Sequence, residues 1–176
     1  MKSITLLLLA FLISTAFVHQ EKTIAEVGMI HWMTWDEAIE AQKITPRKIF
    51  IDIHTDWCGY CKKMDNTTFK NTDVIRALAD DFYAIKFDAE RKDTITFNET
   101  EYTFNNAGKR PAHQLAHKLL DGRLGYPSFV YLDENLERIM PSPGYKKPAQ
   151  LLQELSFVET ETYKEMSWED YVNRAE

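Results

Sequence analysis

The stretch that decides the fold reads Lys48-Ile49-Phe50-Ile51-Asp52-Ile53-His54-Thr55-Asp56-Trp57-Cys58-Gly59-Tyr60-Cys61-Lys62-Lys63-Met64. Its first seven residues are mostly apolar and β-prone, which is typical of a strand buried on both faces, with Asp52 as the exception. From Trp57 onward the β-formers give way to good helix formers. The sequence therefore predicts a strand over Lys48–His54 and, directly after it, a helix that begins at the two cysteines.

The segments on either side alternate between helical and strand patterns. Thr34 and Glu37 form a capping box that predicts a helix over residues 35–42. Further helices are predicted over 74–79 with Asp73 as cap, from Pro111 onward with Leu115, Leu119 and Leu120 buried, from Pro148, and from Trp168 after a second capping box, Ser167 with Asp170. Strands are predicted at 82–87, as a hairpin at 94–97 and 102–104, and as an antiparallel pair at 129–132 and 136–140. This order favours an α/β fold with a parallel pair of strands.

Composition excludes several classes of protein. The chain has 176 residues, of which 44% are hydrophobic and 27% charged, and it contains two cysteines. These values exclude a collagen-like, low-complexity or disulfide-scaffold protein and favour one globular domain. The net charge of −6, with scattered lysines, argues against nucleic acid and anionic lipid as partners.

The first residues are typical of a secretory signal peptide. Met1 and Lys2 give a positive start, residues 4–18 are mostly apolar, and Ser14-Thr15-Ala16 supplies the small residues before a cleavage site. An uncleaved anchor or a buried helix are the alternatives, but the run is shorter than the ~20 residues of a spanning helix. We expect residues 1–16 to be removed and the mature protein to be periplasmic or otherwise extracytoplasmic, without stable membrane insertion and in an oxidising compartment.

Cys58-Gly59-Tyr60-Cys61 is the most informative motif. Cysteines at i and i+3 in a first helical turn can form a disulfide, and the free backbone N–H groups there favour a thiolate. The predicted chemistry is thiol-disulfide exchange, in which Cys58 attacks and Cys61 resolves the mixed disulfide. An inert disulfide is one alternative, although so short a loop stabilises little. A zinc site completed by histidines is the other.

Three histidines bear on that second alternative. They are His54, four residues before Cys58, and His113 and His117, which have metal-ligand spacing on the predicted helix. Such a pair on a surface helix is more often solvated, so we expect no metal. His54 is instead a candidate for tuning the thiolate, or a strand residue hydrogen-bonded in the sheet.

Several segments resemble the thioredoxin superfamily. Residues 50–62 resemble its active-site strand and helix, residues 126–130 its cis-proline strand, and Gly144 the glycine before its last helix. The run from Trp57 to Met64, with Phe69, most resembles the thioredoxin-like domains related to the C-terminal domain of the disulfide interchange protein DsbD. The resemblance covers residues 32–158 and implies a three-layer α/β/α sandwich around a mixed sheet.

The resemblance also implies roles for individual residues. Asp52 matches a buried aspartate that takes the proton of the resolving thiol, and Lys86 matches the lysine that pairs with it. Pro127 is expected after a cis peptide bond, with Tyr126 contacting the substrate strand. Trp57, Gly59 and Tyr60 are expected to contact the substrate around the cysteines.

The chain departs from the thioredoxin pattern in two places. Gly59-Tyr60 stands between the cysteines where thioredoxin has Gly-Pro, so no redox potential carries over. Residues 93–123 form a longer connection before the cis-proline strand, which we interpret either as a rim that selects partners or as a structural flap. Residues 159–176 are expected to form a C-terminal tail with a short helix.

The sequence thus predicts an extracytoplasmic thiol-disulfide oxidoreductase that acts on protein disulfides without a bound cofactor. The DsbD-like features favour a reductase recharged by a membrane electron donor of the DsbD type. An oxidase or isomerase would use the same residues. The alternative from another class is a non-catalytic binding module with the same fold.

Overall fold

The structure, a computed structural model, describes residues 28–107 and 110–175. Its helices are α1 (Trp35–Ile44), α2 (Gly59–Asn66), α3 (Thr72–Asp81), α4 (Gln114–Leu119), α5 (Pro148–Glu159) and α6 (Trp168–Ala175). Its strands are β1 (Trp32–Met33), β2 (Lys48–His54), β3 (Phe82–Asp88), β4 (Ile95–Phe97), β5 (Thr100–Tyr102), β6 (Phe104–Asn105), β7 (Ala112–His113), β8 (Ser128–Leu132) and β9 (Arg138–Pro143). Short 3-10 turns at Thr68–Lys70 and Thr162–Lys164 follow α2 and α5.

A mixed five-stranded sheet forms the middle layer. The strand order is β1-β3-β2-β8-β9, in which β1 and β2 run parallel to β3, while β8 is antiparallel to both β2 and β9. β2 lies in the middle of this order and, as predicted for a strand covered on both faces, is buried along nearly its whole length. Its register places Asp52 opposite Lys86 of β3 and Phe129 of β8.

Helices cover both faces of this sheet. On one face Ile49, Ile51 and Ile53 of β2 pack in a core with residues of α1 and α4. On the other face Phe50 packs in a second core with residues of α2, α3 and α5, including Met64. Because successive strand residues alternate between faces, Asp52 lies on the α2 side together with Phe50. The fold is the three-layer α/β/α sandwich that the sequence predicts.

The start of α3 corrects one prediction. The cap is Asn71, not Asp73, because the Asn71 Oδ1 accepts hydrogen bonds from the backbone N–H groups of Asp73 (3.1 Å) and Val74 (3.2 Å). Asp73 lies inside the first turn, where its charge still complements the helix dipole. The α1 prediction is confirmed, since Thr34 and Glu37 form both hydrogen bonds of the capping box.

The connection between β3 and β8 contains the predicted hairpin in a tighter form. β4 and β5 pair around Asn98 and Glu99, which both have left-handed backbone (φ 48° and 60°), as a two-residue type I′ turn requires. Phe104 does not belong to this hairpin. It lies in β6, which pairs with β7.

The helix of this connection begins later than predicted. Pro111 precedes β7 instead of lying in the first helical turn, and α4 begins at Gln114. His113 is the cap, and its Nδ1 accepts a hydrogen bond from the Leu115 N–H (3.2 Å). The side chain of His113 is fully buried, with its Nε2 3.1 Å from the Asp93 carbonyl. It therefore does not form a surface pair with His117.

One carboxylate is buried in the core on the α2 side. Glu154 of α5 is only 2% exposed and accepts hydrogen bonds from the hydroxyls of Tyr131 (2.9 Å) and Ser142 (2.7 Å). The Lys146 ammonium lies 3.1 Å from the same carboxylate. Burial and the Glu154 charge raise the pKa of Tyr131. The network ties α5 to β8 and β9.

A final helix packs against α5. The Ser167 hydroxyl accepts a hydrogen bond from the Asp170 N–H (3.1 Å) just before α6. The rings of Trp168 and Tyr171 lie 5.3 Å and 4.9 Å from the Phe157 ring, measured between centroids. None of the helices in the described ranges is long and apolar enough to cross a membrane. The signal peptide expected at residues 1–16 lies outside those ranges.

Candidate active site

The two cysteines lie at the N-terminus of α2, joined as a disulfide. The Cys58–Cys61 S–S distance is 2.02 Å and the Cα atoms are 5.3 Å apart. Cys58 is the N-cap, and its sulfur accepts a hydrogen bond from the Cys61 N–H (3.1 Å). When the disulfide is reduced, the Cys61 N–H and the positive end of the helix dipole stabilise a thiolate at Cys58.

Exposed aromatic side chains flank the disulfide. Trp57 is 66% exposed and Tyr60 is 62% exposed, although both sulfur-bearing residues are buried. Gly59 between them is exposed, and a Cβ added there meets nothing within 4 Å. The Tyr60 ring lies 6.0 Å from the Tyr145 ring, between centroids. Large aromatic groups left in solvent beside a reactive pair favour contact with another molecule.

The proline loop lies next to these cysteines. The Tyr126–Pro127 peptide bond is cis, and the Tyr126 ring packs edge-on against Trp57 with centroids 5.8 Å apart. The Pro127 carbonyl accepts a hydrogen bond from the Gly144 N–H (2.8 Å). Gly144 has φ 92°, a conformation that favours glycine. The structure thus brings the three segments of the family resemblance together at one end of the sheet.

Asp52 is a buried carboxyl group on the α2 side of β2. It is 1% exposed, and its Oδ1 accepts no hydrogen bond from the residues that the structure describes. Burial disfavours the charged form and raises the pKa of Asp52 from 3.8 to about 7. The nearby Lys86 ammonium opposes this shift and the Asp65 carboxylate adds to it. Asp52 therefore changes protonation near neutral pH, as a group that exchanges protons with a thiol requires.

Lys86 is shared between two carboxylates. Its Nζ lies 3.8 Å from the Asp52 Oδ2, as the resemblance implies, but it donates its hydrogen bond to Asp65 of α2. The ammonium also lies 5.2 Å from the centre of the Trp32 ring. Sequence reasoning missed Asp65. The available signal was its spacing, because a residue four positions after Cys61 lies on the same face of a helix.

Among the described residues, the histidines considered as zinc ligands are not grouped with the cysteines. His54 ends β2 and is partly buried, and burial together with the Lys86 charge lowers its pKa. Both ring nitrogens of His113 have backbone partners, namely the Leu115 N–H at the start of α4 and the Asp93 carbonyl before β4. Across residues 28–107 and 110–175 no three His, Cys, Asp or Glu side chains are grouped so as to hold a metal ion.

The fold and this cysteine pair define the class of the protein as a thioredoxin-like protein with a Cys-x-x-Cys disulfide. A thioredoxin-like sandwich with a Cys-x-x-Cys disulfide at a helix N-terminus, beside a cis-proline loop, carries the groups that thiol-disulfide exchange needs. The chain belongs to the thioredoxin-like domain family, which matches residues 35–159.

Individual relatives agree with this membership. A stretch of 45 residues, 26% of the chain, is 44% identical to the thiol:disulfide interchange protein DsbD of Ralstonia nicotianae, and it covers 7% of that protein. The chain spans between 7% and 12% of the length of the curated relatives it matches. These stretches relate the chain to single segments of much longer proteins.

Solved structures share the fold. A thioredoxin from Thermus thermophilus superposes with a TM-score of 0.54 at 20% identity, over 74% of this chain and 87% of that one. A DsbH oxidoreductase superposes with a TM-score of 0.52 at 17% identity, over 81% of this chain and 92% of that one. At these identities the likeness concerns the fold alone.

Proposed function

We propose that this protein works outside the cytoplasm as a reductase of protein disulfides, with Cys58 and Cys61 as its redox pair. The observation that carries the proposal is the Cys58–Cys61 disulfide at the N-terminus of α2, between two exposed aromatic side chains. An inert bridge that closes so short a loop contributes little stability, so exchange is the better reason for it. The family resemblance assigns the same roles to the same positions.

The reductive cycle begins with the dithiol. The Cys58 thiolate attacks one sulfur of a client disulfide, that S–S bond breaks, and the first client thiolate leaves. Cys61 then loses its proton and attacks the Cys58 sulfur, which releases the second client thiolate and forms the Cys58–Cys61 disulfide. Two electrons have moved from the enzyme to the client.

Asp52 accepts the Cys61 proton in this scheme. Its pKa of about 7 makes it a competent base near neutral pH, and burial keeps it away from bulk water. Lys86 and Asp65 set that pKa from opposite sides, since the ammonium lowers it and the carboxylate raises it. These three residues are positioning and proton-handling groups for the cysteine pair.

The client contacts are assigned to the residues around the disulfide and at the proline loop. Trp57 before the α2 cap, and Gly59 and Tyr60 in the first turn of α2, flank the disulfide. Tyr126 and Pro127 offer an edge without an N–H at the proline. An extended client segment beside Tyr126 places its own disulfide over Cys58. Recharging of the oxidised pair falls to a membrane electron donor of the DsbD type.

Two features of the sequence support the reductive direction of electron flow and the location outside the cytoplasm. The run from Trp57 to Met64 resembles domains of the DsbD type, and the 44% identical stretch agrees with that resemblance. The apolar segment at residues 4–18 supports export. Residues 1–16 are therefore assigned as a signal peptide, residues 32–158 as the thioredoxin-like domain, and residues 93–123 as an insertion at its rim.

A trapping experiment tests the exchange. Cys61→Ala leaves Cys58 without its resolving partner, so clients are expected to accumulate as mixed disulfides that dithiothreitol releases. The matched control is the double variant Cys58→Ala, Cys61→Ala, which is expected to trap nothing. Partners that stay bound to the double variant contradict the enzyme and favour the binding module.

A redox titration tests the direction. The mature protein is equilibrated in dithiothreitol buffers, and the Cys58–Cys61 pair is read by thiol alkylation and mass. A strongly reducing potential supports the reductase, and a strongly oxidising one reverses the direction. Failure of the pair to form a reversible disulfide at any ratio rejects the proposed function.

A further inference from the structure

A cavity of about 420 Å³ opens beside the redox pair. It lies within the range of ~300–1,000 Å³ of small-molecule sites. Its lining consists of Trp57, Glu90, Arg110, Pro111, Leu124, Gly125 and Tyr126. Trp57 directly precedes Cys58, and Tyr126 directly precedes Pro127, so the cavity shares two walls with the exchange site. Its other walls come from the turn after β3 and from the connection before β8.

The cavity carries one negative and one positive group. The Glu90 carboxylate accepts a hydrogen bond from the Trp57 indole N–H (3.1 Å). A guanidinium nitrogen of Arg110 donates to the Leu124 carbonyl (2.9 Å). Among the described residues neither charge has an oppositely charged side chain within 4.0 Å, although both line the same space. Each retains capacity to bind a charged group of a ligand.

This pair of charges discriminates between kinds of ligand. A basic side chain of a client is attracted by Glu90 but repelled by Arg110. An acidic side chain is attracted by Arg110 but repelled by Glu90. A free α-amino acid carries an ammonium and a carboxylate on the same carbon, and it satisfies both groups at once. Residues inside a protein chain lack that combination, because their amino and carboxyl groups are in peptide bonds.

We infer that this cavity binds the zwitterionic end of a low-molecular-weight amino-acid disulfide, with cystine as the simplest example, and presents its sulfur to Cys58. Glu90 binds the ammonium, Arg110 binds the carboxylate, and the Trp57 and Tyr126 rings enclose the carbon chain. The inference rests on the proposed function, since it uses the same redox pair. It adds a second class of substrate to protein disulfides.

The reaction follows the same electron balance. The Cys58 thiolate attacks one sulfur of cystine, the cystine S–S bond breaks, and one cysteine thiolate leaves and takes up a proton. Cys61 gives up its proton and attacks the Cys58 sulfur, which releases the second cysteine. The enzyme dithiol is oxidised to the disulfide and one cystine is reduced to two cysteines. The reductant is the dithiol itself, reduced beforehand.

Four small disulfides of matched size test this inference. Cystine carries both charges at each end, cystamine only the ammonium, 3,3′-dithiodipropionate only the carboxylate, and 2-hydroxyethyl disulfide neither. The reduced mature protein is mixed with each, and the single-turnover rate is divided by the rate of the same disulfide with dithiothreitol. We expect this ratio to be about tenfold higher for cystine than for 2-hydroxyethyl disulfide. Cystine makes two charge-assisted contacts that the neutral disulfide lacks, and partial exposure to solvent keeps each of them weak.

Two charge variants assign the contacts. Glu90→Gln is expected to slow cystine and cystamine, and Arg110→Gln is expected to slow cystine and 3,3′-dithiodipropionate, each roughly fivefold. Neither is expected to change the rate with 2-hydroxyethyl disulfide, which reports on the redox pair alone. Glu101→Gln and Arg76→Gln are matched controls, because they change the net charge equally at exposed positions that do not line the cavity.

The outcomes separate this inference from the proposed function. A cystine ratio no higher than that of 2-hydroxyethyl disulfide overturns the zwitterion site while the redox chemistry stands. Equal effects of Glu90→Gln on all four disulfides also overturn it, because the variant then acts through Trp57 and the redox pair. If the reduced protein exchanges with none of the four, both the site and the proposed function are wrong.

Discussion

Replacing Asp52 with asparagine is expected to stabilise the protein, and the gain is expected to depend on pH. Asp52 is buried with an Oδ1 that lacks a hydrogen-bond donor among the described residues, so its charged form is costly in the folded state. Asparagine has nearly the same shape and no charge. The variant therefore removes the cost of ionising a buried carboxyl group without leaving a cavity.

The size of the gain follows from the pKa. Folding raises the pKa of Asp52 from 3.8 to about 7, and each pKa unit corresponds to about 1.4 kcal/mol, which gives about 4 kcal/mol. Between these two pKa values the folded state holds a proton that the unfolded state has lost. The free energy of unfolding of the wild type therefore falls as pH rises from about 4 to about 7, and this contribution is constant above that. Asp52→Asn lacks this decline.

Urea unfolding of the oxidised protein measures the effect. We expect the free energy of unfolding of Asp52→Asn relative to wild type to rise by about 2.5 kcal/mol between pH 5 and pH 8, with unchanged m-values. Asp56→Asn is the matched control, because Asp56 is exposed and close to the same cysteines. A difference that is the same at both pH values refutes the raised pKa. Activity is expected to fall in Asp52→Asn, since the Cys61 proton loses its acceptor.

Two further predictions concern neighbouring features. Asp65→Asn is expected to lower the pKa of Asp52, because the Asp65 charge raises it and competes for Lys86; a carboxyl ¹³C NMR titration measures this, and an unchanged midpoint contradicts it. Asn71→Ala is expected to cost about 1 kcal/mol of stability through loss of the α3 cap. Asp73→Ala is expected to cost no more than about 0.5 kcal/mol, and equal losses in urea unfolding argue against the cap assignment.

The central part of the fold was predictable because its signals are local. The buried strand β2, the change to helix formers at Trp57 and the spacing of Cys58 and Cys61 lie within one short stretch, and each depends on near neighbours in the chain. The family resemblance then added a role for Asp52, which lies in the same stretch, and it added the proline loop, which comes from a distant segment. Without it, the sequence offers no physical reason to place Pro127 beside the cysteines.

The errors arose where distant contacts decide the outcome, or where two neighbouring residues are equally suited to one role. Pro111 is a good first residue for a helix, but pairing of β7 with β6 holds the chain extended through His113. The spacing of Asp65 from Cys61 indicates its helix face, but its contact with Lys86 depends on how α2 lies against β3. At the start of α3, two competing cap residues stand two positions apart, and the sequence pattern does not choose between them.

The buried carboxylate of Glu154 has a consequence for how such a chain evolves. Losing Glu154 alone leaves the hydroxyls of Tyr131 and Ser142 without an acceptor inside the core, at a cost of ~1–3 kcal/mol for each unsatisfied group. Exchanging all three together for apolar residues of similar shape leaves no hydroxyl unsatisfied and costs less, provided that the Lys146 side chain, 17% exposed, turns its ammonium to solvent. The three positions are therefore epistatic, and descendants are expected to keep the set or to replace it in concert.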